Sequence, residues 1–415
     1  MNTPAHLKWP DNADCTAVPY SVFNSQEVYD LEQQKLYNGP TWNYLAAADE
    51  LPEKGSFKST YIGDTPVVVT RGQDDEFYAW VNRCAHRGAE ICRERHGKSE
   101  DGAFTCVYHQ WAYDAKGDLH GIPFQRGLAG KGGMPKDFDK KQHGLRKVRL
   151  ANYHGVLFGT FSEQTPDIES YMGEDVSHHL KRIMNRPIEI LGHTRQSIAG
   201  NWKFYSENTK DPYHASLLHL FHATFGLYRS SQKGESIINN DFHSVLWASS
   251  GTESESALDD MKKDKLRTLQ TGEYALQDPS LLAGQQEFDD GVTLVILSLF
   301  PSLVIQQIQN TLAFRQILPK SKDEFELVWT YFGYKDDSEE LRNIRLKQFN
   351  LIGPGGFISM EDGESTELCQ NAIVRDGAYT NVIQMAGKEA KGDDHLVTEG
   401  LIRGLWKGYR EIMDF

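Results

Sequence analysis

The stretch Glu207-Asn208-Thr209-Lys210-Asp211-Pro212-Tyr213-His214-Ala215-Ser216-Leu217-Leu218-His219 gathers two imidazoles, three carboxylate or amide side chains and a proline into thirteen residues. A hydrophobic core has no use for that density of polar groups, and histidine is the commonest protein ligand for a transition metal. The spacing of His214 and His219 is awkward: five positions on an ideal α-helix is a rotation of about 140°, not one face. Both can grip one ion only where the turn is widened, for instance by a π-bulge. The plainer alternative makes Asp211 an N-cap with Pro212 at the first helical position, His214 an ordinary first-turn residue and His219 a core histidine.

A second constellation lies upstream, in Cys84-Ala85-His86-Arg87-Gly88 and Cys106-Val107-Tyr108-His109-Gln110-Trp111. Each half offers one thiolate and one imidazole from a tight turn. Zinc accepts two cysteines and two histidines, and a single iron could do so too. Cys-x-His is not the usual zinc-finger spacing, however. Two loops that each send a cysteine to one iron and a histidine to the other are what a Rieske [2Fe–2S] centre requires. Cys92 falls in a helical-looking segment, Ala89–Glu94, and is expected to be a plain thiol. A one-electron relay needs an acceptor, which favours the metal interpretation of 207–219 over the cap.

The elements that must position these residues change character along the chain. Residues 1–25 look irregular, and Ser25–Tyr37 is expected to be an amphipathic helix capped by Ser25. From Trp42 to about Phe161, short β-like runs alternate with Gly/Asp turns, as in a small all-β domain. The glycine-rich run Gly127–Gly133 lacks the lysine and hydroxyl of a phosphate loop and is expected to be a surface loop. Beyond residue 162 helical and strand signals mix: helices over Asp167–Met184 and Tyr205–Leu220, and a strand over Ile188–Ser197. Gly291–Leu299, Leu303–Gln309, Leu312–Leu318 and Phe325–Tyr334 suit an antiparallel sheet. Ser338–Asn350 is a charged helix stopped by Gly353-Pro354-Gly355-Gly356. Residues 251–290 are the least legible stretch and are expected to be mobile.

Bulk properties set outer limits. The length of 415 residues suggests two domains. The net charge of −14 argues against nucleic acid as a partner. No run of about 18 apolar residues marks a membrane span, and the N-terminus does not resemble a signal peptide. Five cysteines, at 15, 84, 92, 106 and 369, do not form a disulfide framework, so a reducing cytoplasm is expected.

Cys84-x-His86-Arg87-Gly88 with Cys106-x-x-His109-x-Trp111, followed by Glu207-Asn208-x-x-Asp211-x-x-His214-x-x-x-x-His219, resembles the α subunits of Rieske non-haem iron ring-hydroxylating oxygenases. The likeness extends over nearly the whole chain. It is strongest to the aromatic-carboxylate branch that acts on terephthalate, anthranilate, ortho-halobenzoates and salicylate, through segments such as Gly133-Met134-Pro135 and Asn350–Pro354. The gap between His86 and Cys106 is slightly longer than the family pattern, which implies a longer surface turn around Gly97–Gly102.

The resemblance implies an α+β fold. Residues 1–41 would pack on the catalytic domain, 42–161 would form an all-β Rieske [2Fe–2S] domain, and 162–415 a catalytic domain with an antiparallel sheet flanked by helices, of helix-grip type. Cys84, His86, Cys106 and His109 would hold the cluster. His214, His219 and a distal carboxylate would hold a mononuclear Fe(II) with positions open to dioxygen. In Phe357–Glu364 the chosen carboxylate is Asp362, with Glu361 and Glu364 as competitors; His222 would be a structural decoy. Glu207, Asn208 and Asp211 join the catalytic set, and Asp211 would link His214 to His109 of the partner subunit, which makes at least an α trimer necessary.

The pocket is expected between strands 291–318 and the helix carrying His214. Arg315, in a largely apolar strand, is either an ion-paired arginine or the group that grips a substrate carboxylate. The implied reaction is cis-dihydroxylation of a benzoate-type ring with O2 and NAD(P)H-derived electrons; monohydroxylation of a salicylate-type substrate is the alternative. No dinucleotide fingerprint occurs in the chain, so the flavin reductase, with or without a ferredoxin, is expected to be separate. A small β subunit, in an α3β3 assembly, is the other implied partner. Two further classes remain in view. An electron carrier would need only the first 160 residues or so, and a zinc-stabilised binding module would be colourless.

Overall fold

The computed structural model describes residues 9–10, 15–249, 262–263 and 276–415. Of the stretch expected to be mobile, residues 251–261 and 264–275 lie outside the described residues. The chain divides into two compact units, Tyr37–Ile168 and Met1–Leu36 with Glu169–Phe415.

The first unit is all-β apart from two short 3₁₀ turns. Its main sheet has seven antiparallel strands, Asn43–Ala47, Val156–Thr160, Lys147–Tyr153, Phe77–Val81, Thr65–Arg71, Ser56–Ile62 and His96–Lys98 in spatial order. Ser56–Ile62 alternates buried and half-buried positions, the period of two that a one-sided sheet imposes. A small three-stranded sheet, Phe104–Thr105, Ala112–Tyr113 and Leu119–Gly121, lies beside a core in which Trp80, Phe104, Trp111 and Tyr113 surround Cys84 and Cys106. Ala89–Glu94 is irregular rather than helical: its backbone is held by Asn82, whose Oδ1 accepts from Ile91 N and Cys92 N, both at 3.0 Å. The run 127–133 is a loop with positive φ at Gly127, Gly130, Gly132 and Gly133.

The second unit is built on a seven-stranded antiparallel sheet. From one edge the order is Ile188–Ile198, Glu324–Tyr334, Thr311–Ser321, Leu303–Ile308, Val292–Leu299, His243–Ser249 and Gly234–Asn239. Cross-strand partners share a face, so the register Leu246↔Ile296↔Gln306 and Val304↔Arg315↔Trp329 fixes which side chains look the same way. The sheet carries helices Glu339–Ile352, Phe357–Ile373 and Gly400–Met413 among others.

Several helices are shorter than periodicity suggests. Asp167–Met184 is two helices, Ile168–Met172 and Glu174–Ile183, parted by Gly173 at φ 81°. Ser25 does cap Gln26–Leu31, its Oγ accepting from Val28 N, but Glu32–Tyr37 continues as a π-helix. That turn delivers Glu32 into the interior. There its Oε1 accepts from Lys203 Nζ at 2.7 Å and Tyr409 Oη at 2.6 Å, and its Oε2 from Trp202 Nε1 at 2.9 Å. Trp202 and Lys203 open the helix Trp202–Asn208, so this ion pair anchors the segment that leads to Asp211.

Removing Glu32 strands an ammonium in a site that burial already makes hostile to it. Glu32→Ala is expected to destabilise the second unit by about 3–5 kcal/mol, the usual consequence of breaking a buried pair from one side. Urea unfolding followed by circular dichroism reads the change. Glu32→Met with Lys203→Met should recover most of the loss.

Candidate metal centres and the cavity beside them

The two Cys/His loops of the first unit are closed in the same way. Cys84 N donates to Ala89 O at 2.8 Å and Gly88 N to Cys84 O at 2.9 Å; Cys106 N donates to Trp111 O and Gln110 N to Cys106 O, both at 2.9 Å. The fifth residue of each loop, Gly88 or Gln110, has positive φ, at 77° and 57°. That backbone is natural for glycine and uncommon for glutamine. Both cysteines are buried and unbridged. The rings of His86 and His109 lie edge to face with centroids 4.5 Å apart, and Trp111 stacks on His86 at 4.8 Å.

The donor set fits a [2Fe–2S] cluster. The Nδ1 atoms of His86 and His109 are sealed from solvent with no hydrogen-bond partner, which a metal would supply. Burial, then the neighbouring His86, holds His109 below its usual pKa and therefore neutral, as a ligand must be. The hydroxyl of Tyr113 accepts from Ala85 N at 3.1 Å and lies 3.2 Å from Cys84 Sγ, leaving its own proton for the sulfur. Sequence spacing gave no sign of Tyr113, because the contact crosses from the small sheet to the first loop. Burial pushes the Cys92 thiol up to about 12, so this residue is an inert core group.

In the second unit the segment from Tyr205 to Leu220 is broken, not continuous. Helix Trp202–Asn208 ends, Asp211 caps Pro212–Leu218, and His219 is its C-cap at φ −85°, ψ 75° before Leu220–Thr224 begins. No π-bulge widens this turn. A break at His219 does its work, swinging that ring round to meet His214 with centroids 5.3 Å apart. Asp211 is a cap after all: its Oδ1 accepts from Tyr213 N at 2.9 Å and His214 N at 3.3 Å. Its Oδ2 sits 3.3 Å from His214 Nδ1 without directed hydrogen-bond geometry.

The distal segment arrives through a tight glycine turn. A Cβ at Gly356 would lie 2.0 Å from Leu351 O, and one at Gly353 equally close to Tyr331 Oη, so only glycine passes. Helix Phe357–Ile373 then presents Asp362, which is 4% exposed. His214, His219 and Asp362 each offer one ligand atom, and these lie within 4.8 Å of one another. Asp362 Oδ1 stands 3.2 Å from His219 Nε2 and 3.5 Å from His214 Nε2, and accepts from Asn208 Nδ2 at 3.0 Å.

The surrounding charges suit a cation. Burial opposes ionisation of Asp362, but His219 and His214 hold its carboxyl well below the usual range. Burial likewise opposes charge on His214, yet Asp211 and Asp362 lift it to about 10. Protons therefore collect where a divalent metal would replace them. Glu361 is not part of the triad: its Oε2 takes His219 Nδ1–H at 2.8 Å and so presents Nε2 to the site. Glu364 is exposed. Glu207 stands apart, bonded to Trp406 Nε1, and burial pushes its carboxyl up to about 8.

A cavity opens on the triad, walled by Ala215, Leu246, Leu294, Ile296, Ile308 and Ile358, with Arg315 and His222 as polar lining. The sheet register puts Arg315 on the cavity face. It is 5% exposed, stacked over Trp329 at 4.4 Å, and donates to Tyr205 Oη at 3.1 Å and to Gln306 Oε1. Asn208, Asp211 and His214 also line a second cavity, with Glu207, Cys369 and Glu399. Among the described residues no helix is long and apolar enough to cross a membrane.

Comparison with known proteins matches both parts of the chain. Residues 41–132 match the Rieske [2Fe-2S] domain, and residues 171–414 the catalytic domain of ring-hydroxylating α subunits. The chain is 50% identical to the anthranilate 1,2-dioxygenase large subunit of Burkholderia cepacia, over 97% of this chain and 94% of that one. It is 47% identical to a terephthalate 1,2-dioxygenase terminal oxygenase α subunit of a Comamonas species, over 98% and 97%. With the large oxygenase component of salicylate 5-hydroxylase from a Ralstonia species it shares 40%, over 99% and 97%. Its fold is that of naphthalene 1,2-dioxygenase from Rhodococcus, with TM-score 0.78 over 96% and 94% at 21% identity.

The hydrogen bond between His219 and Glu361 gives the two neighbouring carboxylates different expected roles. Glu361→Ala is expected to weaken iron binding about 10–100-fold while leaving the site able to load at high iron. Asp362→Ala should abolish retention of that iron. Iron content after dialysis, measured beside the intact visible spectrum of the cluster, distinguishes the two.

Proposed function

The chain belongs to the family of Rieske ring-hydroxylating oxygenase α subunits, and on that premise we propose that it hydroxylates the ring of a benzoate-type carboxylate, by cis-dihydroxylation. It is an oxidoreductase of the Rieske oxygenase class with one [2Fe–2S] cluster and one mononuclear iron. When bound, the cluster supplies electrons singly and the iron activates dioxygen. Cys84, His86, Cys106 and His109 are the proposed cluster ligands; His214, His219 and Asp362 are the proposed iron ligands.

The observation that carries the substrate class is Arg315. It is a buried guanidinium in the cavity beside the triad, and among the described residues no carboxylate pairs with it. Of its five N–H groups, one goes to Tyr205 and one to Gln306, while Nε has no partner. A buried cation without a counter-ion is costly, and a ligand carboxylate would complete it bidentately. Tyr205, Gln306 and the face of Trp329 hold the fork in place before substrate arrives. The aliphatic wall would seat the ring against the triad and exclude water. The named substrates of the relatives, anthranilate, terephthalate and salicylate, are all aromatic carboxylates.

Asp211 is the proposed link for electrons arriving from His109 of the partner subunit in an α trimer. Its contact with His214 Nδ1 supports that role. Asn208, bonded to Asp362 and 3.3 Å from His214 Nε2, would hold these two groups in register. Relatives named as large subunits or terminal components imply further components: a small β subunit and a separate NAD(P)H-dependent flavin reductase, with or without a ferredoxin.

Product analysis on a panel of substituted benzoates, with a matched reductase and labelled dioxygen, tests the reaction. Two labelled atoms in the product are expected; one would establish monohydroxylation, the reaction named for the salicylate relative. Arg315→Leu should abolish carboxylate binding without altering the iron spectrum, and unchanged affinity would refute its role. Asp211→Asn retains a good helix cap, so both metals should remain while product formation collapses. Normal turnover by that variant would exclude the electron link.

A further inference from the structure

We propose that His222 is a second substrate contact, hydrogen-bonding an amino or hydroxyl substituent on the ring whose carboxylate Arg315 holds. The inference rests on the benzoate-type reading of the cavity and adds what else the substrate must carry. Sequence spacing makes His222 a bystander, three residues beyond His219. The fold buries it to 4% exposure in the wall of the cavity that also holds Arg315 and the triad. It contributes no atom to the group within 4.8 Å that could hold a metal.

A histidine kept for packing alone normally spends a ring nitrogen on the protein. His219 gives Nδ1 to Glu361, and buried His243, whose Nε2 is also without a partner, accepts from Phe300 N through Nδ1 at 3.0 Å. The Nε2 of His222 is sealed from solvent and has no partner. Leaving such a group unmade costs about 1–3 kcal/mol, which a ligand able to complete it would recover.

The other polar groups of the wall are occupied. Thr209 Oγ1 accepts from Ser298 Oγ at 3.4 Å, and Tyr228 Oη donates to Pro212 O at 3.4 Å. Outside the metal triad and the residues that support it, Arg315 and His222 are the described lining residues with a buried nitrogen that has no partner. An imidazole nitrogen can donate to or accept from a ligand, which suits an amino or hydroxyl group on the ring.

The test is isothermal titration of the iron-loaded enzyme with benzoate and with the 2-, 3- and 4-amino and hydroxy benzoates. Iron content and cluster absorbance are matched across variants beforehand. At least one substituted isomer should bind the native enzyme about tenfold more tightly than benzoate, the equivalent of one good hydrogen bond. His222→Phe should erase that ratio, and His222→Gln, which can place an amide near the position of Nε2, should restore part of it. A preference that survives in His222→Phe, or no preference in the native enzyme, overturns the role of His222 alone. Failure of every benzoate to bind the native enzyme overturns the carboxylate reading and this role with it.

Discussion

One buried carboxylate organises the catalytic unit. Asp362 is ionised in a place where burial alone would neutralise it, because two imidazoles and an amide converge on its Oδ1. None of these groups is stable there alone: a lone carboxylate would be protonated and two lone imidazoles would be neutral. Together they form a site whose protons a divalent cation would displace. The constraint propagates outward. It explains the chain break at His219, since an unbroken helix would point that ring about 140° from His214. It also explains the glycines at 353 and 356, which let a helix present Asp362 from a distant part of the chain.

Support for this arrangement is itself buried and polar. Glu32, delivered by a π-turn, ties the start of helix Trp202–Asn208 to the C-terminal helix through Lys203 and Tyr409, and Asn208 leaves the other end of the same helix to meet Asp362. On the sheet, strict cross-strand register brings Gln306, Arg315 and Trp329 to one face, where an isolated arginine in an apolar strand acquires an aromatic platform and two oriented partners. These contacts tolerate little slippage, because a one-residue shift would turn Arg315 to the opposite face.

What could be foreseen in the sequence follows from how local each feature is. Cys84 and His86, or Cys106 and His109, sit within one turn of chain, so their spacing alone carries the cluster geometry. The four strands between Val292 and Tyr334 were legible because branched and aromatic residues cluster between evident turns. Only the family resemblance separates Asp362 from Glu361 in the sequence; the burial of Asp362, and the bond between His219 and Glu361, depend on a helix packed from more than a hundred residues away. Tyr113 and His222 escaped for the same reason, since nothing near them in sequence announces the sulfur or the cavity. Helix lengths at 167–184 and 205–220 were overestimated because apolar periodicity persists across Gly173 and His219, where the backbone does not.

Asp211 shows why a structural and a functional interpretation of one residue need not compete. A carboxylate has two oxygens. One, Oδ1, accepts from the backbone of Tyr213 and His214 and fixes the start of the helix; the other, Oδ2, is left beside His214 Nδ1. The cap holds the side chain rigid, and rigidity is what a contact to a ligand imidazole needs, since the ring's orientation decides where Nε2 points. Pro212 strengthens the same start by fixing φ at the first helical position. Asn208, Asp211 and His214 then line two cavities, one with Arg315 and His222 and the other with Glu207 and Glu399.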